Sequence, residues 1–473
     1  MPKSTTNPWA KYGLSLLCFL LLSNSVPAQE QSLPNFIIIF ADDLGYGDLG
    51  TFGHPTIKTP HLDRMAHEGQ KWTNFYAGAS VCTPSRAALL TGRLPVRSGM
   101  ASNKHRVLFP DSKHGLPSRE ITLAEQLKKA GYSTACIGKW HLGHKEQYLP
   151  TNNGFDYYFG IPYSNDMDRV QGEAYKNYWD RTNDSIKSEH FNVPLLRNTQ
   201  IIERPADQNT ITTRYSNEAV SYIKKNKNRP FFIYLAHNLP HVPLFASQAF
   251  LGKSERGLYG DVLEEIDHGV GKILDTLKEE GLDKNTIVVF TSDNGPWLPF
   301  KLNGGSAGPL KAGKGTTWEG GMREPTIFWG PSKIRPGVIT DLGSTMDLFT
   351  TFSKMAGVEI PNDRIIDGVD LSGTLFRHES SPRKSMFYYR GTELYAVRME
   401  NYKAHFITQG AYGQFGKRQE HDPPLLYHLN HDPSENFNIA PAHPEVLATI
   451  DELVKKHRSK LIRGKDQLAD REQ

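Results

Sequence analysis

The chain is poor in cysteine and has no large excess of charge of either sign. Three cysteines among 473 residues are too few for a disulfide framework in a protein of this size. The 55 basic side chains nearly balance the 51 acidic ones, so the sequence lacks the basic surface typical of nucleic-acid binding, and no nucleic-acid partner is expected. A hydrophobic content of 38% is ample for a sizeable core and indicates one large domain with a smaller appendage, or two domains.

Long apolar runs are also scarce, and the one of interest lies near the N-terminus. Residues 14–22 follow Lys3 and Lys11 and precede the small-residue segment 26–28. This run is much shorter than the roughly 20 apolar residues that span a bilayer. A positive start, a short apolar centre and a small-residue cleavage site are typical of a secretory signal peptide. We therefore predict a cleaved leader over residues 1–28, export to the periplasm or the extracellular space, and no integral membrane segment after its removal.

Short apolar runs predict buried strands, and amphipathic runs predict helices between them. The strand candidates are residues 35–40, 132–137, 231–236 and 285–290, and the main helix candidates are 210–225 and 262–277. This order predicts an α/β catalytic domain over residues 29–382, with a large mixed, mostly parallel sheet sandwiched by helices. Polar residues 165–210 predict either an irregular insertion on the binding face or a solvated loop without a function.

The pattern of predicted secondary structure changes near residue 383. Short strand-like runs alternate with turns, and a final helix is predicted from about residue 445 to 461. We therefore predict a smaller C-terminal α+β subdomain over residues 383–473, with an antiparallel sheet and a terminal helix.

Carboxylates follow two of the predicted strands at the point where each strand ends. Asp42 and Asp43 come after the first strand, and Asp293 and Asn294 come after the strand 285–290. Ligands of open α/β sheets bind beyond the carboxyl ends of strands, and adjacent carboxylates repel each other unless a cation bridges them. Each segment alone also fits a turn or a helix cap. Together they favour a shared cation, and their oxygen ligands are those that Ca²⁺ prefers.

A cysteine stands at the predicted start of a helix. Pro84 suits the first turn of a helix, and Gly92 can end it. Backbone N–H groups at such a helix start favour an anionic oxygen near Cys82, and Arg86 can point back toward the same place. The alternatives are a buried structural cysteine and a bridge to Cys136.

The segment Cys82-Thr-Pro-Ser-Arg86, continued by Ala-Ala-Leu-Leu-Thr-Gly-Arg, resembles the signature of the type I sulfatases, formylglycine-dependent members of the alkaline phosphatase superfamily. Residues 131–143 (Gly-Tyr-Ser-Thr-Ala-Cys-Ile-Gly-Lys-Trp-His-Leu-Gly) resemble the second signature of this family. Residues 154–166 and 313–325 resemble further family segments. The motifs are most similar to those of the arylsulfatase A and N-acetylgalactosamine-6-sulfatase group.

The resemblance implies that a maturation enzyme converts Cys82 to Cα-formylglycine, whose hydrated aldehyde is the nucleophile. A Cys82–Cys136 bridge is then not expected. The implied calcium ligands are Asp42, Asp43, residue 82, Asp293 and Asn294. The implied catalytic residues are Cys82, Arg86, Lys139, His141, His241 and Lys314, and the implied substrate-binding residues are Lys139, His241, Lys314 and Ser164.

Some of these roles stay open at the level of the sequence. Ser164 fits a turn as well as a contact to sulfate. His241 matches the family spacing better than His237 and is favoured as the acid for the leaving oxygen, with His141 as the proton acceptor. Lys139 and His141 would share a side of the chain if it is extended there. The sequence alone does not fix which histidine is the acid.

The expected function is hydrolysis of a sulfate monoester with release of inorganic sulfate. The expected partners are a sulfated small molecule or glycan and the formylglycine-generating maturation enzyme, and an exported chain with aromatic-rich loops favours a sulfated carbohydrate. One alternative is a phosphate or phosphonate ester hydrolase of the same superfamily. Another is a non-catalytic glycan-binding relative, but the expected cysteine, acids, lysines and histidines are all present.

Overall fold

The structure, a computed structural model, describes residues 33–170 and 186–472. The predicted leader, residues 1–28, lies outside the described residues. From Leu33 onward the described residues belong to one compact unit. No helix among them is long and apolar enough to cross a membrane.

The larger sheet has eleven strands. Their order is β10-β2-β9-β8-β1-β7-β3-β4-β5-β6, and β11 pairs with β2. The strands are β1 Asn35–Ala41, β2 Gln70–Tyr76, β3 Ser133–Gly138, β4 Tyr157–Gly160, β5 Leu195–Arg197, β6 Gln200–Glu203, β7 Phe231–Ala236, β8 Thr286–Ser292, β9 Arg323–Trp329, β10 Gly337–Ile339 and β11 Gly343–Ser344. The five strands β8, β1, β7, β3 and β4 run parallel, whereas β9, β5 and β6 pair antiparallel with their neighbours. The predicted mixed, mostly parallel sheet is confirmed.

Helices cover both faces of this sheet. They are α1 Pro60–Glu68, α2 Cys82–Thr91, α3 Pro95–Ser98, α4 Leu123–Lys128, α5 Ile211–Asn226, α6 Leu258–Glu279, α7 Glu319–Met322, α8 Asp347–Met355 and α9 Ser372–Arg377. In β1, Ile37 and Ile39 pack in the core formed with α1, α5 and α6, and Phe36, Ile38 and Phe40 pack in the core formed with α2, α4 and α8. A strand buried on both faces has to be apolar at every position, which explains the continuous apolar run of β1.

A second sheet follows in the C-terminal part of the chain. Its four antiparallel strands are β12 Ser385–Arg390, β13 Glu393–Met399, β14 Tyr402–Thr408 and β15 Gln419–His428, and the last helix is α10 Pro444–Ser459. The predicted antiparallel sheet with a terminal helix is confirmed. The exact residues 29–382 and 383–473 that divide the two parts stay a prediction.

Local signals in the sequence explain where α2 and α4 begin and end. Gly92 closes α2 with φ 65°, and its N–H donates to the oxygen of Ala88 at 2.9 Å. A Cβ at this position would lie 2.8 Å from the ring of Phe349, so only glycine fits there. Thr122 and Glu125 form a capping box at the start of α4.

The polar segment after residue 165 is more regular than expected. Residues 171–185 are outside the described part, but β5 and β6 form an antiparallel extension at the edge of the large sheet. Strands of three and four residues are too short to show a period in the sequence, and β6 is largely exposed, so no apolar run marks it.

A buried cluster of charges joins the four-stranded sheet to the segment that contains α7. Lys403 on β14 donates to Glu319 Oε1 at 2.9 Å, to the oxygen of Thr317 at 2.8 Å and pairs with Glu435 Oε1 at 3.0 Å. The side chains of Lys403, Glu319 and Glu435 are fully buried. Burial would raise the pKa of Glu319, but Lys403 and nearby arginines lower it to about 2.

We predict that Lys403→Met lowers the free energy of unfolding by about 3–5 kcal/mol, because two buried carboxylates lose their common cation. Urea unfolding followed by circular dichroism measures the difference. The matched control is Lys455→Met on α10, since the Lys455 side chain is exposed and its ion pairs lie in solvent. Equal midpoints for the two variants would show that the cluster contributes nothing.

Candidate active site

The parallel register of four strands brings the site residues to one edge of the sheet. Strands β8, β1, β7 and β3 are consecutive neighbours, with Ala41 opposite Ser292 and Gly138 opposite Ala236. The residues that follow these strands therefore meet beyond their carboxyl ends. They are Asp42 and Asp43 after β1, Asp293 and Asn294 after β8, His237 and His241 after β7, and Lys139 after β3.

Three buried carboxylates and one thiol lie together at the carboxyl ends of these strands. The ligand atoms of Asp42, Asp43, Cys82 and Asp293 all lie within 4.8 Å of one another. Asp43 has φ 64°, a backbone conformation that side-chain-bearing residues rarely adopt and that is concentrated at functional sites. Its N–H donates to Asp293 Oδ1 at 3.2 Å, which ties the ends of β1 and β8 together.

This cluster fits a divalent cation. Burial and the charge of Asp42 raise the pKa of Asp293 to about 7, so the surrounding protein does not fully compensate the charge of this one carboxylate. The side chain of Asn294 donates to Asp43 Oδ1 at 2.7 Å, and its own buried Oδ1 has no hydrogen-bond partner among the described residues. A bound cation would satisfy this orphaned oxygen. Three carboxylates and an amide oxygen form a hard ligand set of the kind that Ca²⁺ takes.

Cys82 is the first residue of α2 and is buried against the carboxylates. Its Sγ lies 3.3 Å from Asp42 Oδ1 and 4.0 Å from Asp43 Oδ1. It forms no disulfide with Cys136, which is buried on β3. Burial, Asp293 and Asp42 raise the pKa of the Cys82 thiol well above its usual range, so the unmodified thiol is protonated and weakly nucleophilic.

Three buried cations surround the same centre. Arg86 donates from Nε and Nη2 to Asp293 Oδ2 at 3.1 and 2.8 Å, and from Nη1 to the backbone oxygen of Lys139 at 2.8 Å. Lys139 Nζ lies 2.5 Å from Asp42 Oδ2 and 3.2 Å from Ser164 Oγ. On the other side, Lys314 Nζ lies 2.7 Å from an Asp43 carboxylate oxygen. Each carboxylate of the cluster thus faces at least one cation.

The three histidines considered from the sequence lie in different environments. His241 Nδ1 is 2.5 Å from the carbonyl of Val242 and donates to it, which leaves Nε2 directed toward Asp43 Oδ2 at 3.6 Å. Burial, and then Lys314, lower the pKa of His241. His141 Nε2 lies 2.9 Å from the carbonyl of Leu108, and its Nδ1 is buried with no partner in the described structure. The ring of His237 lies 6.2 Å from that of Tyr215 and contacts none of the site carboxylates.

The chain from Lys139 to His141 is not extended, so the predicted alignment of these two side chains by alternation was wrong. Strand β3 ends at Gly138, and His141 has φ 59°, which is not an extended conformation. Both residues are nevertheless buried at this edge, because Arg86 holds the carbonyl of Lys139 and Thr83 donates to the carbonyl of His141 at 3.0 Å. Their positions are set by contacts to α2, which a local pattern does not reveal.

Two further residues at the site were missed from the sequence. The Trp297 ring lies 4.3 Å from Lys314 Nζ and 5.2 Å from the ring of His241. Glu324 on β9 is fully buried, and neither of its carboxylate oxygens has a hydrogen-bond partner among the described residues. Burial, and then Asp293, raise its pKa well above the usual range. The signals were present, since Trp297 follows Asn294 by three residues and Glu324 lies within the segment 313–325.

Comparison with known proteins identifies the family. The sulfatase family model matches residues 34–358, and the model for the C-terminal region of aryl-sulfatase matches residues 381–473. The chain belongs to the sulfatase family. This sulfatase is 42% identical to arylsulfatase A of Homo sapiens over 459 residues, which cover 92% of this chain and 89% of the relative. It is 40% identical to N-acetylgalactosamine-6-sulfatase of Canis lupus familiaris over 498 residues, which cover 97% and 92% of the two chains.

A solved structure agrees with this assignment. A protein of Bacteroides thetaiotaomicron, solved in work on the metabolism of multiple glycosaminoglycans, aligns with a TM-score of 0.78 and 29% identity over 90% of this chain and 99% of its own. The sulfatase is therefore an enzyme of a family that hydrolyses sulfate esters, in the alkaline phosphatase superfamily. The predicted family, fold class and enzyme class are confirmed.

We predict that calcium stabilises this sulfatase through the carboxylate cluster. After chelation, restoring free Ca²⁺ to about 100 times its Kd should stabilise the fold by about 2.7 kcal/mol and raise Tm, because the ion binds only the folded state. In Asp293→Asn this rise should shrink, since one ligand charge is lost. Differential scanning calorimetry of the chelated and reloaded proteins measures both effects.

The control variant is Asp267→Asn, which changes another buried aspartate with a pKa raised by burial to about 7. Asp267 accepts hydrogen bonds from the backbone N–H groups of His61 and Leu62 at the start of α1 and is not part of the cluster. The calcium response should persist in this variant. An equal response in Asp293→Asn would contradict the assignment of the metal site.

Proposed function

We propose that this sulfatase releases inorganic sulfate from a sulfate monoester of a carbohydrate, using a Cα-formylglycine derived from Cys82 and a bound Ca²⁺. The observation that carries the proposal is the meeting of Cys82, three carboxylates and three buried cations at one edge of the sheet. A relative that acts on N-acetylgalactosamine 6-sulfate by its name and a structural neighbour from work on glycosaminoglycans support a carbohydrate substrate.

The cations answer the main electrostatic problem of the reaction. A sulfate monoester is negatively charged, so it repels any anionic nucleophile unless the site neutralises the group. Lys139 and Lys314 pair with different carboxylates, Asp42 and Asp43, and each of these carboxylates has an oxygen within 4.0 Å of Cys82 Sγ. Bound Ca²⁺ supplies further positive charge that polarises a sulfate oxygen. Formylglycine, once formed and hydrated, would supply a hydroxyl group as the nucleophile. The unmodified Cys82 thiol is protonated in this buried site and is a weaker nucleophile.

Arg86 positions the nucleophile relative to the metal ligands. It lies on α2 one turn after Cys82, and its guanidinium holds both Asp293 and the carbonyl of Lys139. The helix start, the end of β8 and the end of β3 are thereby fixed to one another. Such preorganisation keeps the reacting atom in line with the sulfate without a reorganisation cost during the reaction.

We assign protonation of the leaving oxygen to His241 in its imidazolium form, with the proton delivered from Nε2; the lowered pKa of the ring favours release of that proton. Its Nδ1 is held by the carbonyl of Val242, so Nε2 faces the site near Asp43 and Lys314. His141 is the proposed acceptor of a proton from the nucleophile, since its buried Nδ1 has no partner in the described structure. Ser164, which contacts Lys139 at 3.2 Å, is proposed to orient that lysine and to contact the sulfate.

Maturation and export belong to the same proposal. Cys82 is 1% exposed in the folded chain, so the formylglycine-generating enzyme has to act on it before α2 is buried. We propose that residues 1–28 direct the chain across the membrane and that the mature enzyme works in the periplasm or outside the cell.

The proposal is tested by peptide mass analysis of residue 82 in the protein isolated from its native host, together with sulfate release from a panel of sulfated oligosaccharides. We expect the mass of formylglycine at position 82 and release of inorganic sulfate. Cys82→Ala should abolish release, whereas Cys136→Ala should retain it, because Cys136 lies on β3 away from the carboxylates. An unmodified cysteine at position 82 in an active preparation would contradict the proposal that formylglycine is the nucleophile.

The same assay separates the alternative reaction. A phosphate or phosphonate ester hydrolase of the superfamily would turn over the aryl phosphate or phosphonate faster than the aryl sulfate. We expect a higher kcat/KM for 4-nitrophenyl sulfate than for 4-nitrophenyl phosphate, and the reverse order would replace the sulfatase reaction. A protein that binds sulfated glycans without any turnover would be a non-catalytic relative.

The role of His241 has its own test. We expect His241→Ala to reduce kcat by about 10²- to 10⁴-fold on a sugar sulfate, whose leaving alcohol needs a proton. The loss on 4-nitrophenyl sulfate should be much smaller, because nitrophenolate leaves without protonation. His237→Ala, a matched change in the same loop, should reduce the two rates equally if it reduces them at all. Equal losses on both substrates in His241→Ala would exclude it as the acid.

A further inference from the structure

A cavity of about 390 Å³ lies beside the segment that carries Cys82. Ser80 and Val81, which directly precede Cys82, line one side of it. Gly315, which directly follows Lys314, lines another side, and its N–H donates to the oxygen of Ser80 at 2.8 Å. The cavity therefore borders the candidate active site between the nucleophile and one of its cations.

Two arginines line this cavity without a carboxylate partner. Within residues 33–170 and 186–472, neither Arg106 nor Arg390 forms an ion pair, and Arg106 has no hydrogen-bond partner. Arg390 donates from Nη1 to the backbone oxygens of Gln409 and Gly410 at 3.1 and 2.8 Å, which leaves its Nε and Nη2 groups without a described partner. Burial, and then the charge of Arg106, lower the pKa of Arg390, as expected for two guanidinium groups close to each other.

The charge of this cavity is positive even after its acidic residue is counted. Glu393 is the acidic side chain among the residues that line it. Its carboxylate already accepts from Arg418 Nη2 at 2.9 Å, so it does not neutralise the two arginines. Two uncompensated cations in a partly enclosed space favour the binding of an anion.

Aromatic rings connect this cavity to the sulfate-binding cations. The guanidinium of Arg106 lies 4.6 Å from the ring of Tyr412, whose ring is 5.0 Å from that of Trp297. The Trp297 ring in turn lies 4.3 Å from Lys314 Nζ. Tyr412 has φ 53°, a strained backbone conformation of the kind that is concentrated at ligand sites. A continuous row of contacts, with two aromatic rings between two cations, therefore joins Lys314 to Arg106.

Gly315 is required for this arrangement. A Cβ at position 315 would lie 3.0 Å from Arg106 Nη1 and 3.1 Å from Cε2 of Tyr412. The residue also has φ 81°, which disfavours any side chain. The backbone of Gly315, the residue after Lys314, thus leaves no space for a side chain between it and the guanidinium of Arg106.

We propose that this cavity is a subsite for a second anionic group, a carboxylate or a sulfate, on the same carbohydrate that carries the reacting sulfate ester. A planar guanidinium pairs with either oxyanion through two parallel hydrogen bonds. Trp297 and Tyr412 pack behind the two cations, between Lys314 and Arg106, and fix their positions relative to each other. The inference rests on the proposed function and narrows its substrate to polyanionic carbohydrates.

The test measures binding, so that it does not depend on turnover. The full chain carrying Cys82→Ala is titrated by calorimetry with three disaccharides: one with a single sulfate, one with the same sulfate and a uronic acid, and one with two sulfates. We expect at least one dianionic ligand to bind about 10- to 100-fold more tightly than the monosulfated one. The preferred ligand identifies the group as carboxylate or sulfate.

The assignment to the two arginines is tested in the same background. Arg106→Gln, and Arg106→Gln combined with Arg390→Gln, should remove most of the preference without changing Tm by more than the control. Arg106 is exposed, so its single substitution keeps the test valid if the double variant fails to fold. The control is Arg119→Gln, whose exposed guanidinium lies 3.9 Å from Glu120 and which does not line the cavity.

The outcomes separate this inference from the proposed function. Equal binding of all three ligands, or a preference that survives in Arg106→Gln and in the double variant, would overturn the subsite. Sulfate release from the same disaccharides by the unsubstituted enzyme tests the reaction alone. A charge preference without any release would overturn the proposed reaction on these sugars and leave the subsite in place.

Discussion

The buried balance of charge at the carboxyl ends of β1 and β8 is the constraint on which the site depends. Asp42, Asp43 and Asp293 are held close together without contact to bulk water, which costs free energy unless positive charge lies within a few ångströms. Arg86 and Lys139 provide part of that charge at 2.8 and 2.5 Å. The pKa of Asp293 is raised, and Asn294 Oδ1 has no hydrogen-bond partner among residues 33–170 and 186–472, so a cation would find an incompletely compensated carboxylate and a free ligand oxygen here. The site is thus prepared for a cation and for an anionic substrate group at once.

The large sheet determines where the charged side chains of the site lie. Four neighbouring parallel strands end close to the same level. The site residues lie within the first five residues after these strands, so distant parts of the chain come within hydrogen-bond distance of one another. Helix α2 then presents Cys82 to the carboxylates from a different layer, and Arg86 locks that layer to the sheet. The core on both faces of β1 is rigid and close-packed, which limits how far these groups can relax apart.

The C-terminal sheet contributes more than the burial of its own core. Through Lys403 and Glu435 it holds Glu319 and Thr317, in the segment that also contains Lys314. The loop between β14 and β15 brings Tyr412 to Trp297, and Arg390 at the end of β12 faces the cavity beside Cys82. Residues of this part of the chain therefore border the surface on which a substrate larger than sulfate would lie, whereas the carboxylates come from the large sheet.

The amino-acid sequence was sufficient to predict strands β1, β3, β7 and β8, the start and end of α2, and the residue types that meet at the strand ends. These features are local, since a continuous apolar run, Pro84, Gly92 and paired acids act through the backbone nearest to them. The burial of His141 beside α2 and the position of His237 near Tyr215 become visible only in the folded chain. The same is true of Trp297 and Glu324 at the site, and of Arg106 and Arg390, which have no carboxylate partner among the described residues. Those positions depend on contacts between residues that are far apart in the chain, and no local period or spacing encodes such contacts.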